Sequence, residues 1–526
     1  MIIKSRRLSF ILLAVIMCFS FTSCRTSDIN NTITDSTPQT EIPIITPTET
    51  EKESISSTQD EITTLPATPP PFSVTEPYSY YNKVNHLYIS TTESIRVKKN
   101  GLIQSPSSNG TGTHGGHESR IVRTEHGVYA VYITDNRKDD SYGFSWDEFT
   151  VFKLNDNDFD QVILKDEYPH SDGSCAPNIL YGSDGKLYVT IIADDKYKYF
   201  SNNFSKEGAW IKIYTIDPIT FEYEVEHFTP DFRKIWVHGY GYSQPILDCE
   251  NQKLYTLYTG GDVPGYLVWF IFDLQTKKWD YSCYTFENDF RIAYFNAYPD
   301  GNGGFYFFGE RAVLKTGLEE YYDISFADPN GYIWDALYLC HVKDPTTANV
   351  DIRVIKEAEY ESGMKDVPQT GVVHYGCGAS YRDSNGVTHL VYSYKTPEGT
   401  DVYYERYSDE LELIESREIN FTDPSNFFTI AIAENSNGLY LIISSTLENT
   451  EHAKLEIWHS ENNGDSFSLL LDPTYLKTNQ KRVCKSFYKL SFSSTRNGSV
   501  TDGRVDLLFF DDNNYYYHFH VVLPNQ

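Results

Sequence analysis

Methionine is scarce in this 526-residue chain, with 3 residues against 42 tyrosines and 31 phenylalanines. Helical cores lean on Leu, Met and Ala, whereas aromatic and β-branched side chains favour strands, so the imbalance argues for an all-β protein. Cations are also in deficit: 44 Lys and Arg face 73 Asp and Glu, a formal charge of −29. Nucleic-acid binding by counterion release needs clustered cations, so a nucleic-acid partner is not expected. The 8 cysteines form no CxxC pair at metal-ligand spacing. A phosphate-binding glycine loop, a Gly-x-Ser-x-Gly elbow and a His-Glu-x-x-His helix are all missing. The sequence therefore points to no cofactor and no metal.

Long apolar runs are confined to the start. Lys4, Arg6 and Arg7 precede an apolar stretch from about Leu8 to Phe21, the pattern of a secretory signal too short to read as a membrane span. It ends in Phe21-Thr22-Ser23-Cys24, which resembles a bacterial lipobox. That resemblance implies that Cys24 becomes a lipidated N-terminus and holds the protein at the outer face of the cytoplasmic membrane, each buried CH₂ contributing about 0.8 kcal/mol. The other reading is an ordinary signal peptide with an incidental cysteine. Residues 25–77 hold 27 Ser, Thr or Pro and a single aromatic, Phe72. A segment so poor in apolar bulk cannot offset its ordering entropy, and as an extended spacer it could reach on the order of 160 Å. The expected division is a signal at 1–23, a linker at 24–77 and one folded domain at 78–526.

That domain repeats itself. Ile179 to Val189, ILYGSDGKLYV, is the model unit: a strand, a Gly turn and a Tyr-rich strand. Similar hairpins start near Arg120, Pro245, Tyr294, Ala379, Thr429 and Tyr488, and each is followed by a second strand pair opening with FTVFKL, IKIYTI, VWFIFDL, LYLCHV, VYYERY, LEIWHS or YYYHFH. Alternation around turn residues marks β-hairpins. Seven four-stranded units at about 61 residues per step describe a seven-bladed β-propeller, with six blades as the alternative count. The chain stops after the third strand of the seventh unit, while His86 to Val97, HLYISTTESIRV, is strand-like and belongs to no unit. Supplying the missing strand from that segment would close the ring and remove an exposed edge.

In such a ring the loops leading into the innermost strands converge on one face. Histidines recur there: His114 and His117 before the first unit, His170 before the second, His238 before the third and His374 before the fifth. Arg120, Tyr242, Gln244, Arg291, Asn296 and Tyr381 lie near them. One reading is a polar pocket in which neutral His acts as acid or base. The other is that each His hydrogen-bonds the neighbouring blade as part of the repeat. The fourth unit carries a long connection, from about Gly309 to Trp334, containing Tyr321 and Tyr322. Long loops in compact domains are often lids or binding loops, and a Tyr-rich rim suits the apolar faces of sugars.

Ser460-Glu461-Asn462-Asn463-Gly464-Asp465-Ser466-Phe467 resembles the Asp-box Ser-x-Asp-x-Gly-x-Thr-Trp, with Asn, Ser and Phe standing for Asp, Thr and Trp. The units resemble the sialidase-like propeller superfamily and its BNR repeat proteins, in which that box is structural. Arg120-Ile121-Val122 sits where the sialidase Arg-Ile-Pro begins, without the Pro, and Arg291 is the other Arg heading an innermost strand. The stretches from Trp236 and from His170 look like propellers related to polysaccharide lyases. That likeness implies His170, His238 and Tyr242 as proton carriers and Arg120 as the neutraliser of a uronate. His114, His117, Arg291, His374, Tyr321 and Tyr322 are the expected ligand-binding set. The resulting expectation is a monomeric surface lipoprotein that recognises an extracellular glycan or polysaccharide, with catalysis left open. A polysaccharide lyase or glycoside hydrolase is the first alternative and a protein-docking propeller the second.

Overall fold

The structure, a computed structural model, describes residues 78–82 and 87–91 and most of the chain from 119 to 522, apart from connecting stretches such as 171–176, 194–209, 229–242, 365–377 and 476–490. The strands form seven antiparallel sheets, one per repeat. From innermost to outermost strand, blade 1 runs from Ile121–Thr124 to Gln161–His170, blade 2 from Asn178–Tyr181 to Tyr223–Phe228, and blade 3 from Ser243–Asp248 to Trp279–Thr285. Blade 4 runs from Ile292–Pro299 to Asp351–Glu357, blade 5 from Ala379–Arg382 to Leu413–Glu418, and blade 6 from Phe428–Asn435 to Ser468–Tyr475. The innermost strands of blades 1 to 6 lie side by side in chain order, and blade 7 packs against blade 1.

Burial follows from that placement. Innermost strands are covered on both faces by their neighbours, so Ile121–Thr124 and Asn178–Tyr181 are buried throughout. Outermost strands such as Tyr223–Phe228 and Asp351–Glu357 are mostly exposed. The core lies between blades: Tyr129, Val131 and Val151 of blade 1 join Ile179, Leu187 and Tyr214 of blade 2, and Trp269 of blade 3 meets Phe305 of blade 4 edge-on, ring centroids 5.8 Å apart.

Blade 7 closes the ring in the expected way and adds to it. Its own strands are Ser491–Phe492, Arg504–Phe510 and Tyr516–Val522, and Leu87–Thr91 supplies the fourth, pairing Tyr88 with Val522. Tyr78–Asn82 then adds a fifth strand, which the sequence did not suggest. A second fastening sits near the axis. Arg123 donates from Nε to Asp506 Oδ2 at 2.6 Å and from Nη2 to Oδ1 at 2.7 Å, joining blade 1 to blade 7 through a buried fork. Asn497 Nδ2 donates to the Ile121 carbonyl at 2.8 Å and to Ser119 Oγ at 2.9 Å, and the Arg123 amide donates to Ser499 Oγ at 3.1 Å. The 3-10 turn Thr495–Asn497 thereby reaches across the ring to the innermost strands of blades 2, 3 and 4.

Turns on the far face repeat one device. Asp300 Oδ1 accepts from the amides of Asn302 at 2.7 Å and Gly304 at 2.8 Å, and Asp383 Oδ1 accepts from Asn385 at 2.9 Å and Val387 at 2.8 Å, both Asx turns. The described histidines beside these turns are structural. His341 Nε2 lies 2.9 Å from Asp300 Oδ2, and His389 bridges Asp383 at 3.2 Å and the Tyr404 hydroxyl at 2.6 Å. Burial pushes Asp300 up, but the bonds from His341, Asn302 and Gly304 outweigh it and hold the carboxyl below its usual value. The Asp-box-like turn folds as its motif requires, with Ser460 Oγ accepting from the Gly464 amide at 2.7 Å and Asn462 Oδ1 from the Ser466 amide at 2.9 Å. Phe467, in the Trp position, packs edge-on against Tyr404 of blade 5. Among the described residues Cys249, Cys283 and Cys340 are free thiols.

The blade-4 connection is shorter than the span Gly309 to Trp334. Strand Phe305–Leu314 continues past Gly309 and strand Tyr332–Val342 begins before Trp334, so the connection covers 315–331 and opens with helix α1, Lys315–Tyr322. The strand can continue because the Arg311 charge, which reads as a loop residue, is neutralised inside the sheet by Asp335. Among the described residues no helix is long and apolar enough to cross a membrane.

Candidate functional site at the channel mouth

The mouth face is built from the heads of the innermost strands. In blade 1, Ser119 and Arg120 are each 1% exposed, and their carbonyls accept from the Ile179 amide of blade 2 at 2.7 Å and the Val131 amide at 2.9 Å. Asn178 Oδ1 accepts from the Ser119 amide at 2.8 Å. In blade 4, Arg291 is buried and its carbonyl accepts from the Ala312 amide at 3.0 Å. Gln244 of blade 3, Asn296 of blade 4 and Ser380 of blade 5 are also buried, and Asn296 Nδ2 donates to the Gly378 carbonyl at 3.3 Å. A propeller whose blades meet through aliphatic and aromatic side chains thus has a polar axis. Burying polar groups is tolerable where they are hydrogen-bonded, and here the bonds of Ser119, Asn178, Asn296 and Ser380 run between blades.

Blade 4 is irregular at the mouth. The pairing of Ile292–Pro299 with Phe305–Leu314 slips between Ala293 and Asn296, and Tyr294 inside that bulge has φ 57°. A bulky residue in the left-handed region stores strain of order 1–3 kcal/mol, and such residues concentrate at functional sites. Trp334 packs against Ala293, Tyr294 and Ala312. The channel is occupied from the far side by Thr495–Asn497, where Arg496 donates from Nη1 to Asn296 Oδ1 and lies over the Phe492 ring. Burial pulls Arg496 down to about 10, still a cation at neutral pH. Arg120 and Arg291, heading the innermost strands of blades 1 and 4, and Arg496, in the turn that meets blade 4, are three arginines near the ring's inner strands in a chain with net charge −29.

Arg120 and Arg291 stand where the repeat puts them, heading the innermost strands of blades 1 and 4. Tyr322 is half-buried at the end of α1, stacked on Tyr360 with centroids 4.7 Å apart, and Tyr321 precedes it in the same helix. His170 is the last residue of the outermost strand of blade 1, opposite Ser145, so its backbone belongs to that strand. His114, His117, His238, Tyr242, His374 and the lipidation candidate Cys24 lie outside the described residues. Sequence reasoning passed over Arg311, Asp335, Tyr360 and Arg496. Neither Arg311 nor Arg496 carried a sequence signal: Gly309-Glu310-Arg311 interrupts the apolar run Phe305–Phe308, and Asn296 is 200 residues from Arg496. Among the described residues no three His, Cys, Asp or Glu side chains are grouped to hold a metal ion.

No protein-family model matches this chain, and no curated protein matches it either. Solved structures do resemble it. The polysaccharide lyase Uly1 overlays with a TM-score of 0.49 at 10% identity, covering 84% of this chain and 99% of that one. An α-L-arabinanase from Penicillium chrysogenum, complexed with arabinobiose, gives 0.40 at 12% identity over 82% and 98% of the two chains. The phage phi92 endosialidase gives 0.38 at 10% identity over 79% and 68%. Overlays this loose do not bear on which residues carry chemistry here.

Proposed function

We propose that this protein is a surface-anchored lipoprotein whose sialidase-like β-propeller recognises an extracellular glycan at the mouth face, with acidic sugars favoured. One observation carries the glycan reading: the channel has a polar, arginine-headed mouth on one face and is filled from the other by Thr495–Asn497. Polar strand heads suit a hydroxyl-rich ligand, and guanidinium groups suit a carboxylate. A polysaccharide lyase or glycoside hydrolase is the second reading, favoured by the strained Tyr294 beside Arg291. Anchoring rests on Phe21-Thr22-Ser23-Cys24 and the Ser/Thr/Pro-rich stretch after it.

The glycan reading is tested with the full-length chain in detergent against oligomers of galacturonate, mannuronate and glucose, with absorbance followed near 235 nm. Binding of a uronate oligomer, weakened about tenfold or more in Arg291→Lys at unchanged Tm, is expected, since a bidentate site does not accept lysine as an equal. A rise at 235 nm would add lyase activity. No binding by any oligomer would sink the reading in favour of a protein-docking propeller. For the anchor, cells fed labelled palmitate should label the wild type and not Cys24→Ala, and equal labelling of both would refute lipidation at Cys24.

A further inference from the structure

We propose that blade 4 carries an outer saccharide subsite on the mouth face, a wall made by the stacked rings of Tyr322 and Tyr360, with Asp335 as the residue that positions Tyr360. The inference rests on the glycan reading above and extends it to a second, more distant sugar of the same chain.

The wall belongs to a small raised structure with its own core. Val313, Leu318, Ile324, Ile333 and Ala358 are buried together, with Tyr322, Tyr360 and Met364 packed against them. Two backbone bonds hold the segment leaving the outermost strand: the Ser325 amide, in the connection after α1, donates to the Met364 carbonyl at 3.1 Å, and the Ala358 amide donates to the carbonyl of Asp335 in strand Tyr332–Val342 at 2.7 Å. Both connections lie on the mouth face, one joining the second strand to the third and the other leading into blade 5.

Beneath the rings lies a buried ionic base. Arg311 donates from Nε to Asp335 Oδ1 at 2.7 Å and from Nη2 to Oδ2 at 2.9 Å, while its Nη1 donates to the Tyr338 hydroxyl at 3.1 Å and pairs with Glu357 Oε1 at 2.8 Å. Asp335 is 0% exposed, and its Oδ2 also accepts the Tyr360 hydroxyl at 2.9 Å. Burial and the neighbouring Asp335 carboxylate push Tyr360 well above its usual value, so the hydroxyl remains a donor. A buried ion pair contributes little net stability against an apolar replacement, but it fixes geometry. What it fixes here is a pair of rings left half-exposed, 26° from parallel, in a protein whose other large tyrosines are mostly core.

The wall also adjoins the mouth. Arg311 pairs with Ile292 across the two inner strands of blade 4, and the next residue, Ala312, donates to the Arg291 carbonyl. Trp334, one residue before Asp335, packs against the strained Tyr294. A saccharide held at Arg291 and continuing outward over blade 4 meets Trp334 and then the Tyr pair, whose faces suit the CH surface of a sugar ring.

The test uses the full-length chain in detergent with the di- and hexasaccharides of the same three glycans. Tyr360→Ala and Tyr322→Ala should weaken hexasaccharide binding about three- to tenfold and leave the disaccharide within about twofold, an aromatic stacking contribution removed from the far end of the ligand only. Tyr360→Phe keeps the ring and folds without a cavity, so it should retain more affinity than Tyr360→Ala. Asp335→Asn should reduce hexasaccharide binding while sparing the disaccharide. The subsite is overturned if both alanine variants bind hexasaccharide within twofold of wild type, or if di- and hexasaccharide weaken equally. Wild type binding none of the oligomers would instead remove the glycan reading itself, and the subsite with it.

Discussion

Asp506→Ala is expected to lower stability by about 3–5 kcal/mol, the cost of stranding a buried cation after its partner is removed. Asp506 is 0% exposed and takes both donors of the Arg123 fork, and it also accepts from Ser493 Oγ at 3.3 Å. The pair joins residues 383 apart, so its loss acts on the closure of the ring as well as on one blade. Thermal unfolding should shift downward by roughly 3–6 °C for a domain of this size. The double replacement Arg123→Met, Asp506→Leu should recover most of that loss, because an apolar pair of similar volume is often as stable as a buried ion pair. A shift below about 2 °C in Asp506→Ala would show that the Arg123–Asp506 pair does not hold the ring shut.

The second large effect is expected at Gly498, where the 3-10 turn meets blade 2. Its φ is +80°, and an added Cβ would lie 1.7 Å from the Tyr181 carbonyl oxygen and 2.8 Å from the carbonyl carbon. Neither atom can swing aside, because Tyr181 closes an innermost strand. Gly498→Ala should therefore cost more than the roughly 1–2 kcal/mol of left-handed strain alone, and should lift Thr495–Asn497 out of the channel. Gly301→Ala provides the comparison, since its φ is +81° with nothing within 4 Å of the added carbon. Thermal melts of the two variants separate the terms: equal shifts would mean that the contact with Tyr181 does not matter. Faster hydrogen exchange at the Ile121 and Ile179 amides in Gly498→Ala alone would report the displaced turn.

Period and closure were legible because they are local or repeated signals. Tyr-rich hairpins with Gly and Asn turns recur at near-constant spacing, and the unassigned strand after His86 had a vacant place to fill. The strand Tyr78–Asn82 was hidden because five residues, three of them tyrosine, carry too short an alternation to stand out beside a Pro-rich stretch. At the mouth, Arg120 and Arg291 were readable as heads of aligned repeats. The polar pairings behind them were not, since Arg311 finds its carboxylate partner 24 residues away and Arg496 meets the Asn296 amide across the ring. Pairings of that kind are set by tertiary placement, and a charged residue within a strand looks like a boundary until its counter-charge is known. Helix α1 gave no amphipathic pattern: among its described side chains Leu318 is the one buried in the core beneath, with Tyr322 packed against it.

The fifth strand of blade 7 has a mechanical consequence. Tyr78 pairs with Thr91, at the end of the strand that leads on to blade 1, so the Tyr78 end of the fifth strand lies on the mouth side of the rim. Under the proposed anchoring, any tension between membrane and domain loads Tyr78–Asn82 first. Force directed away from the rim would open that strand one residue pair at a time, starting with Tyr78 and Thr91, while force along it would have to shear all five pairs together. In either case the four strands needed to complete the blade, and the Arg123–Asp506 fastening near the axis, lie behind this fuse.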